Sequence, residues 1–431
     1  MTRWIAALLL VSGVRGTAAS PDEARSLAWL KAQLTPNALV TAPDPQRRGL
    51  VLSYAPGSKP PNPLHRRAFT YDQALAAIAF STVDDFASAA RVLGALGRAQ
   101  RPDGSFWFSY NVENSWPDEG DHDMAIVRSG AIAWAGYAFA FYLERQPDGA
   151  DPRRQREREA LLEKAKKSAE YLLSLRVTDP QHLARGLIRG GRATVTVVTD
   201  AAGKVDERYE DKPIAWVSTE HNIGTFFFLS ALGRVTGDAR YTGAAAEIRQ
   251  RLVPALWQED LGQFAQGVLA DGHVDRALAL DCASWGALYL IATGDRTRAV
   301  KALATADRVY RSLDGKIAGH RPYHDRPIYL DPRVSAVLLP GKPNIQWQQL
   351  PFVWSEGSLG VALAQARLGN TARARQITGE MLKLRQGDGI RLGSRALPYE
   401  MEDAASVAGT AWHALVEAAL RDPRAAGVWS R

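Results

Sequence analysis

Residues 218–229, with the sequence STEHNIGTFFFL, join one carboxylate to a run of side chains that are apolar or small in every direction. Ser218 is a natural cap for a helix start. Glu220 lies in the first turn, where the positive end of the helix dipole favours an acid. A helix without a polar face has to be covered on every side. The stretch therefore predicts a buried helix over residues 220–232 with an acidic N-terminus.

Five further stretches are nearly all apolar or small, and they cover residues 71–81, 129–143, 281–292, 356–368 and 405–420. Charge-rich amphipathic runs alternate with them, at residues 20–35, 84–100, 153–176, 238–256, 297–312 and 372–385. Six covered helices alternating with six half-exposed ones predict an all-α fold of two concentric rings, an (α/α)6 barrel. An open α-solenoid is the alternative, although solenoids rarely have one fully apolar helix in each pair.

The connections between these runs differ at the two ends of the predicted barrel. Short turns contain a Gly or Asn helix stop, as at residues 237–238, 294–295 and 369–370. Long loops cover residues 101–127, 177–217 and 313–352. Strand signals are almost absent, apart from a small hairpin expected from residues 193–200 and 204–209. Because the inner helices begin at the long-loop end, we expect their acidic N-termini to face that end, where binding residues usually lie.

The N-terminal segment has the pattern of a secretory signal, with Arg3 before an apolar run at 4–11 and small residues at 16–20. We expect residues 1–19 to be removed and residues 20–431 to form a single catalytic domain that is periplasmic or secreted. The lone cysteine, Cys282, excludes an internal disulfide, so stability has to come from a large core. No later segment reaches the roughly 20 apolar residues of a membrane span.

The charge pattern argues against several classes of protein. The net charge of +7 falls to +5 when Arg3 and Arg15 leave with the signal, and the basic residues are interleaved with acids, so no nucleic-acid partner is predicted. No P-loop or dinucleotide fingerprint is present, and we predict no cofactor. The string DHD at residues 121–123 is interpreted as a solvated turn or a helix cap, and no metal site is predicted. The oligomeric state is left open.

Acidic residues recur at the predicted starts of the apolar helices. They are Asp72, Glu220, Asp281, Glu356 and the pair Glu402 and Asp403. One carboxylate at a helix N-terminus is ordinary capping chemistry. Several of them on helices too apolar to lie at the surface indicate a carboxylate-lined cavity where the inner helices converge. Such a cavity suits acid/base hydrolysis of a polymer.

Four strings carry a resemblance to a known group of proteins: YDQAL at 71–75, PDGS at 102–105, WSEG at 354–357 and VAGTAW at 407–412. Together they resemble the six-hairpin glycosidases, the (α/α)6 barrels that include bacterial endoglucanases. The resemblance implies a glycoside hydrolase that cleaves a bacterial or plant polysaccharide. It also implies inversion at the anomeric carbon, which is the usual outcome on such barrels.

Glycoside hydrolysis needs one carboxyl that protonates the leaving oxygen and a second that activates water or attacks directly. We predict Glu220 as the general acid, with Glu356 as the other candidate, and Asp72 as the base. Asp281 is predicted to bind a sugar hydroxyl. For each acid, helix capping is the competing interpretation.

Further side chains are predicted to bind the substrate because aromatic faces stack on sugar rings and polar groups bind hydroxyls. The aromatic candidates are Tyr71, Trp107, Tyr110, Trp347, Trp354 and Tyr399, and the polar ones are His221, Asn222 and Glu402. Core packing is the competing interpretation, and it is favoured for Trp134, Trp285 and Trp412 because they lie within the inner helices.

Two other functions remain open from the sequence. A polysaccharide lyase would use Tyr71, His221 or Tyr399 as a base and Arg128 or Arg189 to neutralise a uronate, although the excess of acids disfavours it. A non-catalytic glycan-binding component of an export machine would have aromatic platforms without two carboxylates at workable spacing.

Overall fold

The computed structural model describes residues 18–55, 63–114, 125–147, 151–200, 202, 204–324, 350–397, 401–422 and 427–430. These residues contain twelve α-helices: α1 (Pro21–Ala32), α2 (Thr70–Thr82), α3 (Phe86–Ala99), α4 (Ser129–Arg145), α5 (Pro152–Ser174), α6 (Thr219–Thr236), α7 (Ala239–Leu256), α8 (Asp281–Thr293), α9 (Arg296–Val309), α10 (Ser355–Arg367), α11 (Thr371–Met381) and α12 (Val407–Arg421). The even-numbered helices are the apolar set and the odd-numbered helices are the amphipathic set.

The even-numbered helices form a closed inner ring. Each packs against the even-numbered helices before and after it, and α12 returns to pack against α2. Each odd-numbered helix packs on the outside of an inner one, as α3 does on α2 and α9 on α8. The predicted (α/α)6 barrel is therefore confirmed, and the open solenoid is excluded because the ring closes.

The burial of the two sets follows from their sequences. All of α2 except Tyr71 is buried, whereas the long helix α5 buries only the stripe Leu161, Ala165, Ser168, Ala169 and Leu172. That stripe has the three-to-four-residue spacing of a helix with one covered face. The inner ring therefore lacks a solvated side, and the outer ring supplies the surface.

Close approach within the inner ring depends on glycine. A Cβ added to Gly136 of α4 would lie 2.3 Å from Cε1 of Phe228 on α6. One added to Gly130 would lie 2.4 Å from Cδ2 of His221. Helix α4 can therefore meet α6 at this distance only where the facing side chain is a hydrogen atom.

Contacts between the first and last helices hold the two ends of the chain together. Glu23 of α1 is fully buried and pairs with Arg421 of α12, with 2.7 Å between Oε1 and Nη2. Ser26 Oγ lies 3.0 Å from Nδ1 of His413 on α12. Helix α1 thus becomes the outer partner of α12, although the two lie at opposite ends of the sequence.

The near absence of strands predicted from the sequence is wrong, because the connections contain short antiparallel strands. They are β1 (Arg67–Phe69), β2 (Ser109–Asn111), β3 (Val127–Arg128), β4 (Arg189–Thr199), β5 (Val205–Ser218), β6 (Trp257–Gln258), β7 (Gln263–Phe264), β8 (Gly267–Val268), β9 (Val274–Asp275), β10 (Arg311–Asp314), β11 (Ile317–His320), β12 (Arg385–Gln386), β13 (Gly389–Arg391) and β14 (Ala405–Ser406). Most are two to four residues long, too short to show an alternating pattern in the sequence.

The predicted hairpin is present, and it is longer than expected. Strands β4 and β5 pair from Arg189 opposite Val217 to Thr199 opposite Val205, inside a five-stranded sheet ordered β3-β4-β5-β8-β9. Strand β5 ends at Ser218, whose Oγ accepts a hydrogen bond of 3.4 Å from the amide of His221. The sheet therefore fixes where α6, and with it Glu220, begins.

One predicted helix begins later than expected. Residues 405 and 406 form β14, and Ser406 caps α12 by accepting a hydrogen bond of 3.0 Å from the amide of Gly409. A serine cap has an extended backbone, so the apolar run divides there into a strand and a helix.

The axis of the barrel is filled by aromatic rings. Trp429, which is 1% exposed, contacts Trp134, Trp285 and Trp412 at centroid distances of 4.9 to 5.2 Å. Its carbonyl accepts a hydrogen bond of 3.1 Å from Arg367, the last residue of α10. The segment 427–430 therefore closes the barrel at the C-terminal ends of the inner helices. Among the described helices, none combines the length and hydropathy needed to cross a membrane.

We expect Gly136→Ala to lower the free energy of unfolding by about 1–3 kcal/mol, because its Cβ has to displace the ring of Phe228. Gly243→Ala in the outer helix α7 is the matched control. A Cβ there meets nothing within 4 Å, and we expect it to raise stability by about 0.5–1 kcal/mol. Urea unfolding of both variants measures the difference, and equal effects would contradict the close-approach account.

Candidate active site

A hollow lies at the N-terminal ends of the inner helices. Its lining consists of Tyr71, Trp134, Glu220, Asp281, Ser284, Trp285, Leu288, Glu356, Gly357, Gly360 and Trp412. These residues come from all six inner helices, so the hollow lies on the barrel axis. We call it the central hollow.

Three carboxyl groups reach the central hollow from three consecutive inner helices. Glu220 is the second residue of α6, Asp281 is the first of α8 and Glu356 is the second of α10. An outer helix returns the chain after each inner helix, so the inner helices all begin at the same end and residues in their first turns converge on the axis. The predicted meeting of Glu220, Asp281 and Glu356 is therefore present in the structure.

Tryptophans form the floor of the central hollow. Trp134, Trp285 and Trp412 each lie about one turn inside an inner helix, and the rings of Trp134 and Trp285 stack at 5.0 Å and 23°. Nε1 of Trp134 and Nε1 of Trp285 are buried without a hydrogen-bond partner among the described residues. These rings, which the sequence favoured as core, also provide an apolar surface of the kind on which sugar rings stack.

Tyr71 links the floor to one of the three acids. Nε1 of Trp412 donates a hydrogen bond of 2.9 Å to the Tyr71 hydroxyl oxygen. That hydroxyl in turn donates a short hydrogen bond to Oε1 of Glu356. The chain of donors ends on a carboxylate oxygen, so it favours negative charge on Glu356.

The acids of the central hollow are not neutralised by cations. No Lys or Arg is found among the described lining residues, and Glu220 and Asp281 have no side-chain hydrogen-bond donor in the described part of the chain. Burial raises the pKa of Glu220 to about 8, with a further contribution from the charge of Asp281. Burial raises the pKa of Asp281 to about 6.

The pKa of Glu356 is also raised, by burial and by the charges of the neighbouring acids, against the lowering effect of the Tyr71 hydrogen bond. Three crowded carboxyls cannot all ionise together near neutral pH. Burial thus raises the pKa of these carboxyls by different amounts, and such a separation of pKa values is what acid/base catalysis requires.

Asp72, the predicted base, does not line the central hollow. It follows Tyr71 on α2, but its side chain is 4% exposed and hydrogen-bonds to Ser53, and burial raises its pKa to about 7. Successive helical residues point about 100° apart, so only one of the two faces the axis. The structure places Tyr71 there and Asp72 behind it, contrary to the prediction.

Two other predicted substrate-binding residues have structural surroundings instead. Asn222 is fully buried. Its Nδ2 donates a hydrogen bond to the carbonyl oxygen of Ile188, and its Oδ1 accepts one of 2.8 Å from the Ile188 amide. Tyr110 is 2% exposed, and its hydroxyl donates to the carbonyl of Ala99. Neither side chain reaches the central hollow, because each satisfies backbone groups that the fold has buried.

The remaining candidates lie outside the central hollow or outside the described residues. Trp107 packs beneath the guanidinium of Arg101, 4.0 Å from its ring centroid, and the buried ring of Trp354 packs against Gly357. Glu402 is half-buried near Tyr54, whose pKa its charge helps to raise. Trp347, Tyr399 and residues 121–123 lie outside the described part of the chain.

A second hollow adjoins the central one. Trp216, Val217, Ser218, Glu220, His221, Gln266, Gly267, Val268, Leu269 and Asp275 line it, so Glu220 belongs to both hollows. We call it the side hollow. His221, which was predicted to bind the substrate, lies here, with its Nδ1 2.9 Å from Oγ of Ser129. Burial, with the nearby charge of Arg128, lowers the pKa of His221 to about 3, so the imidazole is neutral.

The sequence-based reasoning missed the tryptophan floor and most of the side hollow. Trp285 follows Asp281 by four residues. This spacing places both side chains on one helix face, so it could have predicted that Trp285 lines the same hollow as Asp281. Gln266 and Asp275 lie on or beside short strands and have no comparable signal, because strand pairing alone brings them beside Glu220.

Neither a family model nor a curated protein matches this chain by sequence. Solved structures do match. A glycoside hydrolase family 63 mannosylglycerate hydrolase from Thermus thermophilus has a TM-score of 0.56 and 16% identity over 92% of this chain and 99% of its own. A family 76 alpha-mannanase from Bacteroides thetaiotaomicron has a TM-score of 0.53 and 11% identity over 94% of each chain.

The chain has the fold of the six-hairpin glycosidases. The resemblance drawn from its sequence is thereby confirmed at the level of architecture. A D-mannose isomerase also shares this fold, with a TM-score of 0.57 and 10% identity over 93% of this chain and 95% of its own. The fold alone therefore does not choose the reaction, and the side chains in the hollows have to do so.

We expect Glu220→Gln to stabilise the protein increasingly as the pH rises. The folded-state pKa of Glu220 lies above its ordinary value of 4.5, so its contribution to stability is present at low pH and is lost as the pH rises toward about 8. The variant should match the wild type near pH 4.5 and exceed it by about 1–3 kcal/mol at pH 8. Denaturant unfolding across this range measures it. Glu163→Gln, on the exposed face of α5, is the control. A stability difference between Glu220→Gln and the wild type that stays constant across the pH range would contradict the raised pKa.

Proposed function

We propose that this protein is a glycoside hydrolase that cleaves a bacterial or plant polysaccharide, or an oligosaccharide derived from one, by carboxylate acid/base catalysis. The observation that carries the proposal is the central hollow, where Glu220, Asp281 and Glu356 meet without a cation above a floor of tryptophan rings. Hydrolases of families 63 and 76 that share the fold support it.

Glu220 is the proposed general acid. Its raised pKa keeps it protonated at neutral pH, and no side-chain donor in the described part of the chain stabilises its ionised form. A carboxylic acid in this state can transfer its proton to the glycosidic oxygen as the bond from carbon to that oxygen breaks.

Glu356 is the proposed base, in place of Asp72. Burial raises the pKa of Glu356, and the hydroxyl of Tyr71, itself polarised by Nε1 of Trp412, opposes that rise by donating a hydrogen bond to Oε1 of the carboxylate. The carboxylate removes a proton from water as the water oxygen adds to the anomeric carbon. We propose inversion, as the resemblance implies, and the anomer first formed can be read by proton NMR.

Asp281 is the proposed sugar-binding acid. It lies beside Glu220, and its negative charge contributes to the high pKa of that residue. An ionised carboxylate in this position accepts hydrogen bonds from sugar hydroxyls and also keeps the general acid protonated.

The lining disfavours the lyase alternative. A lyase has to neutralise a uronate before removing the proton next to it, and no Lys or Arg is among the described residues around the central hollow. Arg128 instead donates to the carbonyls of Val127, Arg192 and Ala193. The three acids would repel a uronate carboxylate.

We also propose that the protein is exported to the periplasm or beyond, because residues 1–19 have the pattern of a signal peptide. Expression in a bacterial host followed by intact-mass measurement of the periplasmic fraction tests this. We expect a chain that begins near residue 19 or 20. Recovery of only the uncleaved chain in the cytoplasm would contradict export.

The assay of hydrolysis uses purified mature protein with a panel of neutral and uronate-containing polysaccharides, oligosaccharides, and α- and β-glycosyl fluorides. We expect new reducing ends without ultraviolet-absorbing unsaturated products. Unsaturated products would identify a lyase, and conversion of mannose to its ketose would identify an isomerase. Binding to glycans without turnover would favour the non-catalytic alternative.

Two variants test the assigned roles. We expect Glu220→Gln to lower kcat/KM for oligosaccharides by about 10²–10⁴-fold but to spare much of the hydrolysis of a glycosyl fluoride, whose leaving group needs little protonation. Glu356→Gln should lose both activities, because water must be activated in either case. Glu163→Gln is the control and should behave as the wild type.

Asp281→Asn, measured in parallel, decides between the two candidates for the base. We expect this variant to raise KM more than it lowers kcat. If Asp281→Asn loses both activities while Glu356→Gln keeps them, the assignment of the base is wrong.

A further inference from the structure

Among the described lining residues, Glu220 is the one that the side hollow shares with the central hollow. Glu220 lines both, and it is the proposed proton donor to the bond that breaks. A substrate bond within reach of Glu220 therefore has one side over the tryptophan floor and the other side toward the side hollow. A substrate held at Glu220 would therefore place one part in each hollow.

The side hollow has surfaces suited to a sugar. The ring of Trp216 lies 5.4 Å from the imidazole of His221, at 56°, and both line the hollow. Oε1 of Gln266 is buried without a hydrogen-bond partner among the described residues. Leaving a buried acceptor unpaired has a cost, and a hydroxyl donor from a bound sugar would relieve it.

The strands hold these groups on a rigid support. Trp216 and Ser218 lie at the end of β5, and β8 pairs with that end through Val217 opposite Val268 and Ser218 opposite Gly267. A Cβ added to Gly267 would lie 1.9 Å from the carbonyl oxygen of Val217, so only glycine permits this pairing. Gln266 precedes Gly267 directly, and the same pairing therefore places its side chain beside Glu220.

The side hollow offers no cationic partner to an anionic occupant. No Lys or Arg is among its described lining residues, and the imidazole of His221 is neutral. Arg128 lies near His221, but its guanidinium already donates hydrogen bonds to three backbone carbonyls. A carboxylate or phosphate here would lose its hydration without gaining a cationic partner.

We propose that the side hollow is the leaving-group subsite and that it binds an uncharged sugar unit. The proposal rests on the proposed function. Glu220 gives its proton to the glycosidic oxygen, the bond from the anomeric carbon to that oxygen breaks with its electron pair on oxygen, and the sugar in the side hollow departs as a neutral alcohol. Water then supplies the hydroxyl group of the other product.

The test compares two substrates of one variant. Trp216→Ala is assayed with the neutral disaccharide that the wild type cleaves fastest and with the glycosyl fluoride of the same non-reducing sugar, which places nothing in the side hollow. We expect kcat/KM to fall by about 10–100-fold for the disaccharide and by less than about threefold for the fluoride. Trp107→Ala, which alters a tryptophan away from both hollows, should leave the ratio of the two values unchanged.

Gln266→Ala provides a second variant if Trp216→Ala does not fold, and we expect the same selective loss at about 5–20-fold. Equal losses on both substrates, or no loss on either, in a folded variant would overturn the subsite. If the wild type cleaves neither the fluoride nor any disaccharide, the failure is that of the proposed function, on which the subsite depends.

The charge of the leaving group is tested on the wild type. We expect the disaccharide with a uronic acid at its reducing end to show a kcat/KM at least about tenfold below that of its neutral counterpart, because its carboxylate would lose water without gaining a cationic partner. Equal values for the two disaccharides would overturn the restriction to an uncharged sugar.

Discussion

A helix that has no polar face has to be surrounded, and the rest of this structure depends on how that requirement is met. Six such helices cover one another in a closed ring, and six amphipathic helices cover the ring from outside. Because an outer helix returns the chain after each inner helix, every inner helix begins at the same end. The positive ends of six helix dipoles and their unpaired N–H groups therefore converge on one hollow, where carboxyl groups are favoured over any other charged side chain.

The convergence of helix N-termini only partly offsets the free-energy cost of placing several acids in one hollow. Glu220, Asp281 and Glu356 are crowded together, and no described Lys or Arg joins them to balance their charge. Burial raises the pKa of all three, and neighbouring acidic charges raise it further for Glu220 and Glu356, so the fold is less stable at pH 8 than it would be with neutral side chains there. Proteins retain destabilising groups of this kind where function requires them. In the proposed mechanism, the same crowding lets one carboxyl act as an acid and another as a base at a single pH.

The tryptophans connect the stability of the barrel with its chemistry. Trp429 closes the axis from the C-terminal ends of the inner helices and supports the rings of Trp134, Trp285 and Trp412. The opposite side of this aromatic group is the floor of the central hollow. The last residues of the chain thus help to position the surface on which a sugar ring would stack, and Trp412 also directs the Tyr71 hydroxyl toward Glu356.

Hydrophobic periodicity and capping are local properties, and they were enough to predict the twelve helices, their division into two rings and the acidic N-termini of the inner ring. They could not show which of two adjacent residues faces the axis. Tyr71 and Asp72 are equally placed by pattern, and only the packing of α2 against its neighbours turned Tyr71 toward the hollow and Asp72 toward Ser53. The side hollow likewise forms only in the folded chain, since Gln266 and Asp275 reach Glu220 through strand pairs that are too short to leave a periodic signal.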